Sequence, residues 1–121
     1  MPEFRELFEA YGGDYDTAIR RFMGNEGMYL KCFVMLFQDK NLEKLGKALS
    51  SGDLQAAFEA AHTLKGMAGN MGLEPFSEAV CAIMEPLRAK EEYGDYPALY
   101  NGILSEHKKV EAFWVQLNGG V

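Results

Sequence analysis

No stretch of the chain is apolar for long. Even a run as long as any in the chain, Cys32-Phe33-Val34-Met35-Leu36-Phe37, falls far short of the about 20 residues a helix needs to cross a bilayer. Met1-Pro2-Glu3-Phe4 lacks the basic segment followed by an apolar one that marks an export signal, so a cytoplasmic protein without a membrane partner is expected. Positive charge is in deficit: 12 Lys and Arg face 18 Asp and Glu, for a formal net charge of -6. This works against a nucleic-acid partner, which calls for a concentrated basic patch. Cysteine is scarce, and Cys32 and Cys81 each sit inside an apolar helical stretch, which fits reduced packed thiols better than a bridge or a metal site. Of the two histidines, His62 and His107, only His62 sits in a Glu-x-x-His pattern, Glu59-Ala60-Ala61-His62, whereas a metal held in a bundle core takes such a pair from each of two helices, which argues against one here. A Gly-x-x-x-x-Gly-Lys-Ser/Thr loop and a Gly-rich kinase loop are both missing, so no nucleotide site is expected.

What is present is an ordinary globular composition. Of the 121 residues, 48% are apolar and 25% charged, enough for a single domain with one core. Apolar residues recur at three and four almost everywhere, which predicts an all-α fold. A short helix is expected over Pro2 to Tyr11, stopped by Gly12-Gly13, and a second after a cap at Asp14 or Asp16, through Ala18, Ile19, Phe22 and Met23. A long stretch follows from Glu26 to Leu49, with Met28, Leu30, Cys32, Phe33, Leu36, Phe37, Leu42, Leu45 and Leu49 inward and a kink near Asp39 to Asn41. Ser51 or Asp53 caps the next helix, from Leu54 to Met71. Another begins near Pro75 and meets Pro86, where a kink or an early end is expected. After a polar connection from Glu91 to Pro97, a last helix runs from Ala98 to Leu117, with Ile103, Val110, Phe113, Trp114 and Leu117 inward, and Gly119-Gly120 forms a tail. Short connections favour antiparallel neighbours, so residues 26–118 are expected to form an up-down antiparallel four-helix bundle. Residues 1–25 would be an N-terminal helical cap across one end.

One helix carries chemistry. A turn of about 100° per residue places Leu54, Ala57, Phe58, Ala61, Leu64, Ala68 and Met71 within an arc of roughly 140°, the core-facing stripe. His62 falls roughly 110° from the centre of that arc, in an outward row with Gln55, Glu59, Gly66 and Gly69. Glycine within a helix costs roughly 0.5–1 kcal/mol against alanine, and two on one face suggest a bare backbone strip that a partner surface approaches closely. Gln55, Phe58, Glu59, Gly66 and Gly69 are the candidate partner-binding residues. Lys65 lies one turn away on the other flank, where its ammonium can meet an anionic group carried by the imidazole. Imidazole is a nucleophile near neutral pH and can form a covalent intermediate. Phosphoryl transfer depends on positioning and charge neutralisation, so one nucleophile and one cation suffice from one side. Such a chain would carry a phosphoryl group without being able to charge itself from ATP.

Ala61-His62-Thr63-Leu64-Lys65-Gly66, followed by Gly69 and Gly72, resembles the signature of the histidine-containing phosphotransfer (HPt) domains. The likeness extends in helix order and length from about Met28 to Leu117, including the Ser51-Gly52-Asp53 turn; the N-terminal 25 residues match less clearly. The resemblance implies a four-helix bundle whose exposed histidine exchanges a phosphoryl group with an aspartate of a receiver domain. Its partners would be a response-regulator receiver domain, a hybrid histidine kinase, or both. The chain itself would need no cofactor, the divalent metal belonging to the receiver, and it would act as a monomer. By this resemblance His62 is the phospho-acceptor, Lys65 the phosphate-stabilising cation, and Gly66 the residue that leaves room. Many members also place a glutamine or glutamate on the next helix to hydrogen-bond the imidazole. A count puts Met84 there with Glu85 adjacent, so ring orientation falls to Glu85 or to no residue.

Three other readings share these residues. A non-phosphorylated bundle could bind a receiver or kinase domain, as Met84 would permit. An enzyme using His62 as a general base would need a second polar group and a pocket. A fragment of a larger sensor would share the chemistry in another context. Met67 and Met71 could add a partner-binding patch beside His62, whereas His107, among Ile103, Val110 and Trp114, reads as a packed histidine.

Overall fold

A computed structural model describes residues 4–91 and 95–117, and caps and helix breakers divide these described residues into seven helices. In order they are α1 (Phe4–Tyr11), α2 (Tyr15–Arg20), α3 (Glu26–Gln38), α4 (Asn41–Ser51), α5 (Leu54–Asn70), α6 (Glu74–Arg88) and α7 (Tyr96–Leu117). The fold is all-α, with no strand among the described residues. Expectations for Pro2, for the middle of the 91–97 connection and for Gly119-Gly120 lie outside the described residues.

Side-chain caps start the helices as expected for short acidic and amide side chains. Asp14 accepts from the Thr17 N–H, Asn25 from that of Met28 and Asp53 from that of Ala56. Gly52 ends α4 in the left-handed conformation at φ +77, a geometry that glycine adopts without steric cost. The expected single stretch from Glu26 to Leu49 is two helices. Asp39 is extended, and its carboxylate accepts from the backbone N–H of Asn41 at 2.8 Å and from its side-chain amide at 3.0 Å. The local bonds of Asp39 thus replace helical ones, and the anticipated kink is a full break. Helix α6 passes through Pro86 and ends at Arg88, while α7 begins two residues before Ala98 with Pro97 in its first turn.

Consecutive helices α4–α5, α5–α6 and α6–α7 pack as neighbours. The α5–α6 pair is antiparallel: Phe58, near the start of α5, meets Arg88, the last residue of α6. Likewise Phe76, early in α6, lies 5.8 Å from the ring of His107 in the second half of α7. Between these helices Leu45, Ala57, Ala61, Leu64, Phe76, Val80, Ile83, Ile103 and Val110 are buried. An aromatic cluster ties the first three helices onto this core. Phe8 stands 5.4 Å from Phe113 and 5.6 Å from Tyr29, and Tyr11 stacks on Phe113 at 4.7 Å. Such pairs add about 0.5–1.5 kcal/mol each beyond their burial.

Helix α3 is phased differently from expectation. Tyr29, Phe33 and Leu36 are its buried residues, whereas Met28, expected inward, is half exposed. Tyr29 wins the inward place because its hydroxyl finds a buried partner, donating to the Met71 carbonyl at 2.6 Å. Burial pushes this phenol well above its ordinary pKa and keeps it a donor.

Gly46 of α4 lies against Tyr100 of α7. A β-carbon there would stand 2.5 Å from Oη of Tyr100, whose hydroxyl donates to the Leu42 carbonyl at 3.0 Å. Gly46→Ala is therefore expected to cost about 1–3 kcal/mol through overpacking. The check is urea denaturation, in which the midpoint should fall with the slope unchanged.

Candidate functional site

The α5 helix is amphipathic, with Ala57, Ala60, Ala61, Leu64 and Ala68 buried. Leu54 and Phe58, expected in the core stripe, are half-buried at its edge. The far end of α5 is fixed from three directions. Gly72 at φ +68 leaves so little room that a β-carbon would lie 2.7 Å from that of Ala18. Tyr29 holds the Met71 carbonyl, and the Arg21 guanidinium donates to the Gly69 and Asn70 carbonyls at 2.6 and 3.3 Å. A cation on the last carbonyls of a helix complements its dipole. The platform under His62 is therefore held at both termini, by Asp53 at one and Arg21 at the other.

On that platform His62 is exposed, as are Gln55, Glu59, Lys65 and Gly66, while Gly69 is half-buried. Gln55 donates to the Glu59 carboxylate at 3.2 Å, and the Thr63 hydroxyl donates to the Glu59 carbonyl at the same distance. A β-carbon added at Gly66 or Gly69 would have nothing within 4 Å beyond their own helix. The strip beside His62 is thus open on the outward side. Lys65 forms no ion pair with a described residue.

The flank toward α6 is arranged differently from the sequence pattern. Met84 is 2% exposed and packed in the core, so it presents no polar group to the imidazole. Glu85 is exposed, and its carboxylate pairs with Arg88 at 2.8 Å rather than with His62. Arg88 in turn lies over the Phe58 ring at 5.7 Å. Phe58 stacks on His62 with centroids 6.1 Å apart and planes 18° from parallel. Arg88 and Arg21 are the residues that sequence reasoning missed. Both act across helices, and only inter-helix register could have revealed them.

Elsewhere, Met71 is a core residue, inward as its place in the α5 stripe predicts. Met67 and Met71 both line an apolar groove of about 430 Å³ with Arg21, Phe22, Cys32, Met35 and Asn70. His107 is packed as expected, with Phe37 and Phe76 rings each at 5.8 Å and Nδ1 3.2 Å from the Glu111 carboxylate. Cys32 and Cys81 are free thiols, half-buried rather than fully buried. Among the described residues no helix is long and apolar enough to cross a membrane, and no cluster of three or more His, Cys, Asp or Glu is placed to hold a metal ion.

The family model described as Hpt domain matches residues 35–109, well over half of the chain. The chain belongs to the Hpt domain family. The matched span of this Hpt domain starts in the last turn of α3 and ends within α7, so it takes in α4, α5 and α6 with His62 and Lys65. Helices α1 and α2, with most of α3, precede it. No curated protein and no solved structure gives a significant match. Hpt domains take part in histidine phosphotransfer within two-component signalling and act as phosphoryl carriers rather than as enzymes with a nucleotide site.

Proposed function

We propose that this Hpt domain carries a phosphoryl group on His62, to or from the aspartate of a receiver domain in a phosphorelay. One observation supports the choice of residue most strongly. Both histidines fall within the family match, but His107 is wedged between two rings and bonded to Glu111, while His62 stands in solvent beside the open Gly66 and Gly69 strip. An acceptor must meet its donor in line, which only an accessible ring can do.

In the forward step, the lone pair of one imidazole nitrogen forms a P–N bond as the P–O bond of the aspartyl phosphate breaks. The aspartate leaves as a carboxylate, and the reverse step restores it. Charge on the transferring group is met from this side by Lys65 and from the other by the divalent metal of the receiver. Gln55, Phe58, Glu59, Gly66 and Gly69 form the surface on which the receiver, or the receiver part of a hybrid kinase, docks. We further read α3 with α4, then α5, α6 and α7, as the four members of an up-down bundle capped by residues 1–25. The domain works as a cytoplasmic monomer.

The direct experiment incubates the chain with phosphorylated receivers of its source organism and magnesium. Acid-labile, base-stable label on the chain is expected. Binding without any label would favour a second reading, a non-phosphorylated interaction module, to which the apolar Met84 at the ring-orienting position lends some support. Lys65→Ala is expected to slow transfer about tenfold or more by removing a fixed charge from the transition state, with receiver affinity changed much less. Stopped-flow transfer rates set beside equilibrium binding separate the two effects.

A further inference from the structure

With Met84 buried and Glu85 paired to Arg88, His62 receives no side-chain hydrogen bond from α6 among the described residues. The geometry points to an aromatic stack in place of that bond: Phe58 is the positioning residue of the His62 imidazole, and Arg88 and Glu85 hold Phe58 from α6. This rests on His62 being the phospho-acceptor, and it gives Phe58 a task beyond docking a partner.

An exposed imidazole on a helix is poorly restrained about its last torsion, where rotation of a planar ring against a tetrahedral carbon has a broad profile. Each swing of the ring moves both nitrogens, and nucleophilic attack tolerates little displacement. Phe58 precedes His62 by four residues, so the two side chains lie one above the other on the same helix. With planes 18° apart and centroids 6.1 Å apart, the phenyl face limits how far the imidazole can tip.

The phenyl ring is itself held. It is half-buried at the α5–α6 seam, and the Arg88 guanidinium lies 5.7 Å from its centroid, within the range of cation–π attraction. Arg88 is in turn drawn to the Glu85 carboxylate at 2.8 Å, one turn away on α6. The contacts therefore run Glu85, Arg88, Phe58, His62, from one helix to the next. Glu85 reaches the imidazole only through two intermediaries. A stack also differs chemically from a hydrogen bond, because it fixes the plane of the ring while occupying neither nitrogen. One nitrogen is left for the phosphoryl group and the other for a proton.

Phosphoramidate, a small phosphodonor that needs no receiver, separates positioning from docking when used on the intact chain. Phe58→Leu is expected to slow labelling of His62 by phosphoramidate about tenfold, since a misplacement on the order of 1 Å already costs more than that. Phe58→Tyr, which keeps the ring, should stay within about twofold of wild type by the same reasoning. In parallel, the His62 ring-proton resonances should lose their ring-current shift in Phe58→Leu and keep it in Phe58→Tyr. Arg88→Met, at an exposed position that leaves the fold intact, should loosen the same resonances and slow labelling about two- to threefold. Wild-type labelling rates and unchanged His62 resonances in Phe58→Leu, with receiver binding weakened, would leave Phe58 a docking residue alone and overturn the inference. A wild-type chain that phosphoramidate cannot label would instead remove the carrier reading itself, and this inference with it.

Discussion

His62→Gln is expected to abolish transfer from a phosphorylated receiver while leaving the fold and the docking surface intact. The side chain is exposed on α5, and glutamine is a good helix former, so the stability change should stay within about 0.5 kcal/mol. What disappears is the ring lone pair, for which a carboxamide offers no substitute at neutral pH. Thr63 and Lys65 remain in place beside it. The comparison therefore needs three measurements on one preparation: label uptake, the unfolding midpoint and receiver binding. Loss of the first with the other two unchanged is the expected pattern.

The second large effect should come from Gly66→Ala combined with Gly69→Ala, with opposite signs on stability and function. Each alanine removes backbone freedom from the unfolded chain and meets nothing within 4 Å, so together they should stabilise α5 by about 1–2 kcal/mol. The same two methyl groups would stand on the strip that the receiver approaches. Displacing the reacting atoms by on the order of 1 Å should slow receiver-dependent transfer about 100-fold. Phosphoramidate labelling should be unaffected, because that donor does not dock on the strip. Thermal denaturation and parallel transfer assays check both signs. A drop in stability would show that the glycines serve the fold rather than a partner.

Much of this was legible in the chain. The phase of α5 follows from its apolar spacing, and with it the exposure of His62, the row Gln55, Glu59, Gly66 and the placement of Ala57, Ala61 and Leu64 inside. Caps at Asp14 and Asp53, each one of two candidates beside Asp16 and Ser51, were readable because a cap depends on residues three apart. Local rules failed where a distant group decided the outcome. Tyr29 displaced Met28 from the core because the Met71 carbonyl, 42 residues on, accepts its hydroxyl. Leu54 and Phe58 lie at the edge of the stripe because α6 ends beside them at Arg88. One miss was local: the long stretch from Glu26 to Leu49 broke at Asp39 because a carboxylate two residues before Asn41 can serve its N–H and its amide together.

The site divides in the same way. His62, Lys65 and the two glycines lie on one helix, so their relation is set by helical geometry alone. What holds Phe58 against the ring comes from α6, and the register of α6 against α5 follows from packing around Ala61, Leu64, Val80 and Ile83. That is why a count along the chain led to Met84 and Glu85, while the side chain that reaches over to the stack is Arg88.

The most direct measurement of the central claim is localisation of the phosphoryl group. The chain is charged by a phosphorylated receiver in magnesium, digested at neutral to alkaline pH and mapped by mass spectrometry. The phosphoryl group should lie on the peptide containing Ala61-His62-Thr63-Leu64-Lys65, and nowhere else. Phosphorylation of His107, or of any hydroxyl or carboxylate side chain in its place, would contradict the account.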